Sequence, residues 1–206
     1  MSALIELTEL GFAWPGQAEL LDIPAFTLQQ GESLFLKGPS GSGKTTLLAH
    51  FRVDRAGFIF QQFNLLPFLS VRENVELPCH FSKLRTQRAQ QRHGSVSQAA
   101  SALLSHLGLV DPALQARRAD SLSIGQQQRV AAARALIGQP ELVIADEPTS
   151  ALDSDAREAF LQLLFAECRA AGSSLLFVSH DQSLAPLFDR SLSLSDLNRA
   201  SRPSEL

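Results

Sequence analysis

Short apolar segments in the sequence predict β-strands of two kinds. Loosely alternating apolar and polar positions over residues 3–13 indicate a strand, and residues 26–36 continue the β pattern with a turn at 29–32 that leads into a short buried strand at 33–36. After Glu141 the run 141–145 is continuously apolar, as is 175–178, which is typical of strands covered on both faces in a parallel sheet. A further short strand is predicted over 57–60.

Segments with an apolar period near 3.6 residues lie between these strands and predict helices. Ser70 with Glu73 has the form of a capping box and predicts a short helix from Val71 to Val75. Another helix is predicted from Ser97, and two more after the capping residues Ser123 and Asp153. Strands alternating with helices predict an α/β fold with a mainly parallel sheet.

Two segments lack a clear period. Residues 81–98 carry Lys83, Arg85, Arg88, Arg92 and His93 among glutamine and serine, and the pattern favours a solvated helix or mobile linker over a dedicated anion contact. Residues 198–206 are predicted to form a frayed tail.

The composition is that of an ordinary globular protein. Of 206 residues, 45% are hydrophobic and 19% charged, and the net charge of −3 gives no general attraction to nucleic acid or lipid. Cys79 and Cys168 form no metal or redox pattern, so we expect buried, reduced thiols in a cytosolic compartment. The N-terminus does not resemble a secretory signal, and no apolar run reaches the length of a membrane span.

The segment Gly38-Pro39-Ser40-Gly41-Ser42-Gly43-Lys44-Thr45 fits the phosphate-binding pattern G-x-x-x-x-G-K-[ST]. A predicted strand at 33–36 precedes it and a predicted helix at 46–49 follows it, which is the context that the pattern requires. Its backbone N–H groups and the helix start would form an anion site. Lys44 would reach the β- and γ-phosphates, and Thr45 would hold Mg²⁺.

Two carboxylates, Asp146 and Glu147, end the buried strand at 141–145 and are costly to place there without cations or protons. With the phosphate-binding loop upstream, Asp146 suits Mg²⁺ coordination and Glu147 suits polarisation of the attacking water. Gln61 follows the strand at 57–60 and is either an ordinary turn residue or a contact to Mg²⁺ or that water.

Three further positions have two open interpretations each. Trp14 is either a core or edge aromatic, or a ring that stacks on a purine. Ser123 and Gly125 are either a simple helix cap or a second anion site. His180 is either structural or, at the carboxyl end of a strand, part of a ligand site.

The chain resembles the ATP-binding cassette (ABC) ATPases, because six features of that family occur in the same order. These are the loop at 38–45, Gln61, the motif at 122–126, the strand at 142–147 with its two terminal acids, the motif at 150–153 and His180. The segments 57–67 and 73–78 look most like the lipoprotein-release and macrolide-export branch. The resemblance covers nearly the whole chain.

The resemblance implies a role for each matching residue. Lys44, Gln61, Glu147 and His180 would be catalytic, and Thr45, Gln61 and Asp146 would hold Mg²⁺. Ser123 and Gly125 would complete the ATP site of an opposite subunit, with Asp153 at the same interface. The residues implied to bind nucleotide are Trp14, Gly38, Pro39, Ser40, Gly41, Ser42, Gly43, Lys44, Thr45, Thr46, Ser123, Gly125 and Gln126.

The chain departs from the family pattern at two places. Only residues 46–60 lie between the phosphate-binding loop and Gln61, and they include the strand at 57–60, so we expect a reduced antiparallel β lobe. Ile124 stands where the family usually has glycine, and its β-branched side chain would restrict the backbone and crowd a partner's phosphates.

The resemblance implies one ABC ATPase domain, with a P-loop core at 1–62 and 121–197, a helical lobe at 63–120 and a tail at 198–206. It implies Mg-dependent ATP hydrolysis by two copies arranged head to tail, coupled to an integral-membrane permease, at the inner face of the cell membrane. No nucleic-acid partner is expected. The alternatives are an ATPase that regulates a membrane partner without transport, a slow or degenerate nucleotide-binding subunit, and a DNA-repair or translation ATPase of the same superfamily.

Overall fold

The computed structural model describes residues 2–16, 18–38 and 55–201. Its described part contains a two-stranded antiparallel sheet and a five-stranded parallel sheet. The strands are β1 (Ala3–Ala13), β2 (Glu19–Gln29), β3 (Ser33–Lys37), β4 (Ala56–Ile59), β5 (Leu142–Asp146), β6 (Ser174–Ser179) and β7 (Arg190–Ser193).

The parallel sheet has the strand order β4-β5-β6-β3-β7. Its three central strands are covered on both faces, as the continuous apolar runs in β5 and β6 predict. Alternate residues of β3 enter different cores: Phe35 packs on one face, and Leu34 and Leu36 pack on the other. The sheet therefore separates two hydrophobic layers.

The β1–β2 pair forms the layer on the second face. Leu21, Ile23, Phe26 and Leu28 of β2 are buried against the side chains of β3, β5 and β6. Within the described residues the antiparallel sheet has only these two strands. The expected α/β fold, with a mainly parallel sheet and a reduced antiparallel lobe, is confirmed.

Helices form the layer on the other face. The α-helices are α1 (Val71–Phe81), α2 (Lys83–His93), α3 (Val96–His106), α4 (Pro112–Gln115), α5 (Ile124–Leu136), α6 (Ser154–Ala171) and α7 (Leu194–Leu197). Short 3₁₀ segments lie at Ala119–Ser121, Gln182–Leu187 and Arg199–Ser201. None of the helices in these described ranges combines the length and apolarity needed to cross a membrane.

Local signals explain where these helices begin. Ser70 accepts the N–H of Glu73, whose carboxylate accepts the N–H of Ser70, so the predicted capping box is confirmed. The helix that it starts was predicted to end at Val75 but continues through Pro78 to Phe81. Asp153 caps α6 through the N–H of Ala156, also as predicted.

The prediction of a merely solvated segment at 81–98 is wrong in part. The segment is helical over α2, but Arg85 is only 5% exposed. Its guanidinium donates to the carbonyls of Ala135 and Ile137, at the C-terminal end of α5. Burial lowers the pKa of Arg85 to about 10. The close approach needs Gly138, where a Cβ would lie 2.6 Å from Arg85.

The predicted frayed tail is wrong at its first residue. Asn198 is fully buried, and its side chain accepts the N–H of Asp22 and donates to the carbonyl of Leu20. These bonds attach the C-terminal segment to β2. Cys79 and Cys168 are free and buried, as expected.

Candidate functional site

Four strands end at the same edge of the parallel sheet, and the predicted site residues follow them. Lys37 lies opposite Ser179, Asp146 opposite Val178, and Ile59 opposite Ala145. Since parallel neighbours are about 4.8 Å apart, the residues that follow these strands lie close together. This edge brings Gly38, Gln61, Glu147 and His180 into one region.

Glu147 is held at this edge by its backbone and by its side chain. Its backbone has a φ of +47°, an uncommon conformation for a non-glycine residue, and its N–H donates to the carbonyl of Val178 at 2.9 Å. Its carboxylate accepts bonds from Ser179 Oγ at 3.1 Å and from the backbone N–H of His180 at 2.9 Å. The side chain is 13% exposed, so these bonds hold a largely buried carboxylate at the rim of the sheet.

His180 faces solvent beside this carboxylate. Its Nδ1 lies 2.8 Å from Glu147 Oε1, while its side chain is 71% exposed. The histidine is therefore not a buried structural residue. An exposed imidazole next to a rim carboxylate can contact a ligand that lies above the sheet edge.

Asp146 and Gln61 supply further oxygen atoms at this edge. Asp146 is half-buried at the end of β5, and Gln61 is exposed in the turn after β4. Carboxylate, amide and hydroxyl oxygens are the ligands that Mg²⁺ prefers, so these residue types fit a magnesium ion. Within the described ranges no cluster of three or more acidic, histidine or cysteine side chains forms a ready-made metal site.

The start of α5 lies on the surface. Ser123 caps the helix in a capping box with Gln126, with bonds of 3.3 Å and 3.0 Å. Ile124 is 53% exposed, and a Cβ at Gly125 would have no neighbour within 4 Å. Ser123 is thus the helix cap that the sequence predicts: the capping box uses the N–H groups of Ser123 and Gln126, and the first turn is open at Gly125.

Trp14 is half-exposed just after β1. It packs edge-to-face on Phe12, with ring centroids 5.1 Å apart and an interplanar angle of 87°. It is not a core residue, and its exposed ring surface is available for stacking.

The phosphate-binding segment itself is only partly described. Gly38 follows β3 at the sheet edge, whereas Pro39 to Thr46, including Lys44 and Thr45, lie outside the described residues. Here the structure describes only β3, the strand that leads into this segment, and Gly38.

The sequence did not identify several polar residues that support this edge. Arg134, in the last turn of α5, donates to the carbonyls of Phe63 and Asn64 just after Gln61. Gln128 donates to the carbonyl of Pro148, next to Glu147. Only Ser179, adjacent to His180 at a strand end, had a position that could have drawn attention. The arginine and glutamine contacts join segments far apart in the chain.

Comparison with known proteins gives consistent matches. A family model described as ABC transporter matches residues 49–150. The uncharacterized ABC transporter ATP-binding protein YvrO of Bacillus subtilis is 37% identical over 199 residues, covering 82% of each chain. The lipoprotein-releasing system ATP-binding protein LolD of Bacteroides fragilis is 34% identical over 212 residues, covering 89% of this chain and 94% of that protein.

A solved structure has the same architecture over nearly the whole chain. The ATP-binding cassette MJ0796, a dimer in a post-hydrolysis state bound to ADP and Pi, matches with a TM-score of 0.74 and 29% identity. The match covers 97% of this chain and 96% of that chain.

Proposed function

The chain belongs to the ABC transporter family as one of its ATP-binding, ATP-hydrolysing subunits, and from this premise we propose that two copies bind face to face, head to tail, around two MgATP molecules. Closure and reopening of this pair drive an integral-membrane permease. Support comes from the dimeric state of the similar cassette MJ0796 and from the site residues gathered at one sheet edge.

Glu147 orients the attacking water in this proposal, and His180 contacts the γ-phosphate. The supporting geometry is the 2.8 Å contact between His180 Nδ1 and Glu147 Oε1 at the carboxyl edge. Lys44 reaches the β- and γ-phosphates, and Gln61 contacts the water or the metal. Phosphoryl transfer needs mainly positioning and charge neutralisation, which these residue types provide.

Thr45, Gln61 and Asp146 would hold Mg²⁺. The ion would neutralise charge on the triphosphate when bound. The position of Asp146 at the end of β5 and the exposure of Gln61 after β4 support this assignment. The remaining phosphate contacts are assigned to Gly38, Pro39, Ser40, Gly41, Ser42, Gly43 and Thr46, and the adenine contact to Trp14.

The start of α5 would serve the partner's nucleotide. We assign this contact to Ser123, Gly125 and Gln126. Gly125 lies at an open surface, as a contact made between two copies requires, and Ser123 and Gln126 flank it in the capping box that they form. Asp153 would lie at the same interface.

The helical lobe at 63–120 would meet the permease, beside the P-loop core at 1–62 and 121–197. Phe68, before α1, and Phe81, at the end of α1, are 64% and 82% exposed apolar side chains that a permease would cover. The protein would then lie in the cytoplasm at the inner face of the cell membrane, bound through the permease. Similarity to LolD and to the macrolide export ATP-binding/permease protein MacB supports the lipoprotein-release and macrolide-export branch.

The contact of Glu147 with His180 carries the proposal, and Glu147→Gln tests it. The amide keeps the shape of the side chain but is a far weaker base. We expect MgATP binding within about twofold of wild type and turnover reduced by about 10²-fold or more. Binding is measured by calorimetry and turnover by phosphate release.

Glu158→Gln is the matched control, because Glu158 is exposed on the outer side of α6. This variant should retain wild-type turnover. Full steady-state ATPase activity in Glu147→Gln would remove Glu147 from the assigned role.

Ile124 favours a second candidate, a subunit with slow turnover. Its exposed side chain stands at the surface that would meet the partner's phosphates. Phosphate release measured with and without a co-purified permease separates a slow subunit from one that the permease activates.

A further inference from the structure

A continuous chain of polar contacts leads from the loop before α6 to Glu147. Arg157, in the first turns of α6, donates through Nη2 to the carbonyl of Leu152 at 3.3 Å. Through Nη1 it donates to Asp181 Oδ2 at 2.5 Å. One guanidinium thus bridges the loop at 150–153 and the residue that follows His180.

Asp181 is held on both carboxylate oxygens. Its Oδ1 accepts the N–H of Ser183 at 3.1 Å and the Ser183 hydroxyl at 2.6 Å. Its backbone N–H donates to Ser179 Oγ at 3.2 Å. Ser179 Oγ in turn donates to Glu147 Oε2 at 3.1 Å. The segment 179–181 is therefore held by Arg157 on one side and by Glu147 on the other.

The bridge is only partly shielded from water, since the side chains of Arg157 and Asp181 are 28% and 32% exposed. A pair this exposed adds little to stability. In addition, Arg157 Nε is the single buried side-chain polar atom without a hydrogen-bond partner in the described part of the chain. Burying a polar atom without a partner costs folding free energy. Stability alone does not account for this arrangement.

We propose that Arg157 and Asp181 are positioning residues that hold the 179–181 segment so that Glu147 and His180 keep their relative placement for hydrolysis. This inference rests on the proposed function. The same bridge joins the loop at 150–153, assigned to the interface between copies, to the hydrolytic side chains of its own subunit. A small displacement of a catalytic group costs up to about 10²-fold in rate, so loss of the bridge acts on the chemical step.

Arg157→Ala and Arg157→Lys test the proposal in the full-length chain. Arg157→Ala should lower kcat by about 10-fold, with KM for ATP changed by less than about twofold, because the bridge contacts no substrate. Arg157→Lys keeps the charge and should recover a substantial part of kcat. Arg169→Ala, at the other end of α6, is the matched control and should keep wild-type kcat.

Asp181→Asn provides a second route that keeps an acceptor for Ser183. It should also lower kcat by about 10-fold, and the double variant with Arg157→Ala should lose no more than either single variant, because both remove one interaction. Melting temperatures of all variants, measured in parallel, identify any loss through unfolding.

Wild-type kcat in both single variants, additive losses in the double variant, or a change in KM as large as that in kcat would each overturn the inference. Glu147→Gln distinguishes failure of the positioning role from failure of the proposed function. If Glu147→Gln is inactive while Arg157→Ala and Asp181→Asn are fully active, the positioning role fails and the proposed function stands. If Glu147→Gln is active, the proposed function itself fails.

Discussion

Gly57→Ala probes a close contact between the parallel sheet and the helix layer. Gly57 lies in β4, where a Cβ would be 2.0 Å from the carbonyl oxygen of Ala135 and 2.7 Å from its carbonyl carbon. Real Cβ atoms essentially never come within 3.0 Å of another heavy atom, so the neighbour must move. That neighbour is backbone and cannot escape by changing rotamer. The same carbonyl accepts a bond from the buried Arg85.

Relief of this overlap requires a shift of β4 against the end of α5, which strains packing on both sides. Overpacking of this kind costs about 1–3 kcal/mol. For a chain of this size, that corresponds to a loss of about 2–12 °C in Tm. We expect values in the upper part of this range, because movement of Ala135 also disturbs the Arg85 bond. Thermal unfolding followed by circular dichroism measures the effect.

Gly125→Ala is the matched control for stability. The substitution is chemically identical, but the added Cβ would have no neighbour within 4 Å, and the site lies in the first turn of a helix, where alanine is favoured. Its Tm should not fall. A Tm for Gly57→Ala within about 1 °C of wild type would refute the packing argument, given the scale of Tm change per kcal/mol.

Two further predictions concern turnover and pH. Ile124→Gly should raise kcat by about 2–10-fold, because it removes a β-branched side chain from the proposed phosphate-facing surface; unchanged phosphate release would contradict this role. Hydrogen bonds from the hydroxyl and N–H of Ser33 hold the pKa of Asp189 in the folded protein below its usual value of 3.8. The ionised carboxylate therefore stabilises the fold above pH 3.8, and this stabilisation is lost as the pH falls through the lowered pKa of Asp189. Asp189→Asn should therefore be less stable than wild type at neutral pH, and the gap should narrow below about pH 4; equal gaps in urea titrations across this range would contradict the assignment.

Much of the architecture could be predicted because it depends on neighbours close in sequence. The capping box at Ser70 and the cap at Asp153 use bonds that span three residues. Continuous apolar runs at β5 and β6 encode burial on both faces without reference to any partner strand. The candidate residues at strand ends followed from the same logic, since parallel strands place their carboxyl ends together.

Other features could not be predicted because their partners are distant in the chain. The sequence predicts a solvated Arg85, since nothing within its own helix shows that two carbonyls some 50 positions away accept hydrogen bonds from its guanidinium. Asn198 looked like the start of a tail, yet its partners lie in β2.

The sequence by itself determined the kinds of elements, their caps and the chemistry available at the ends of the strands. Only the tertiary structure decided the strand order β4-β5-β6-β3-β7, the contact between Glu147 and His180, and the bridge from Arg157 to Asp181. The physical reason is the range of the interactions. Periodicity and capping act over a few residues, whereas strand pairing and side-chain bridges depend on how the whole chain closes around its two hydrophobic layers.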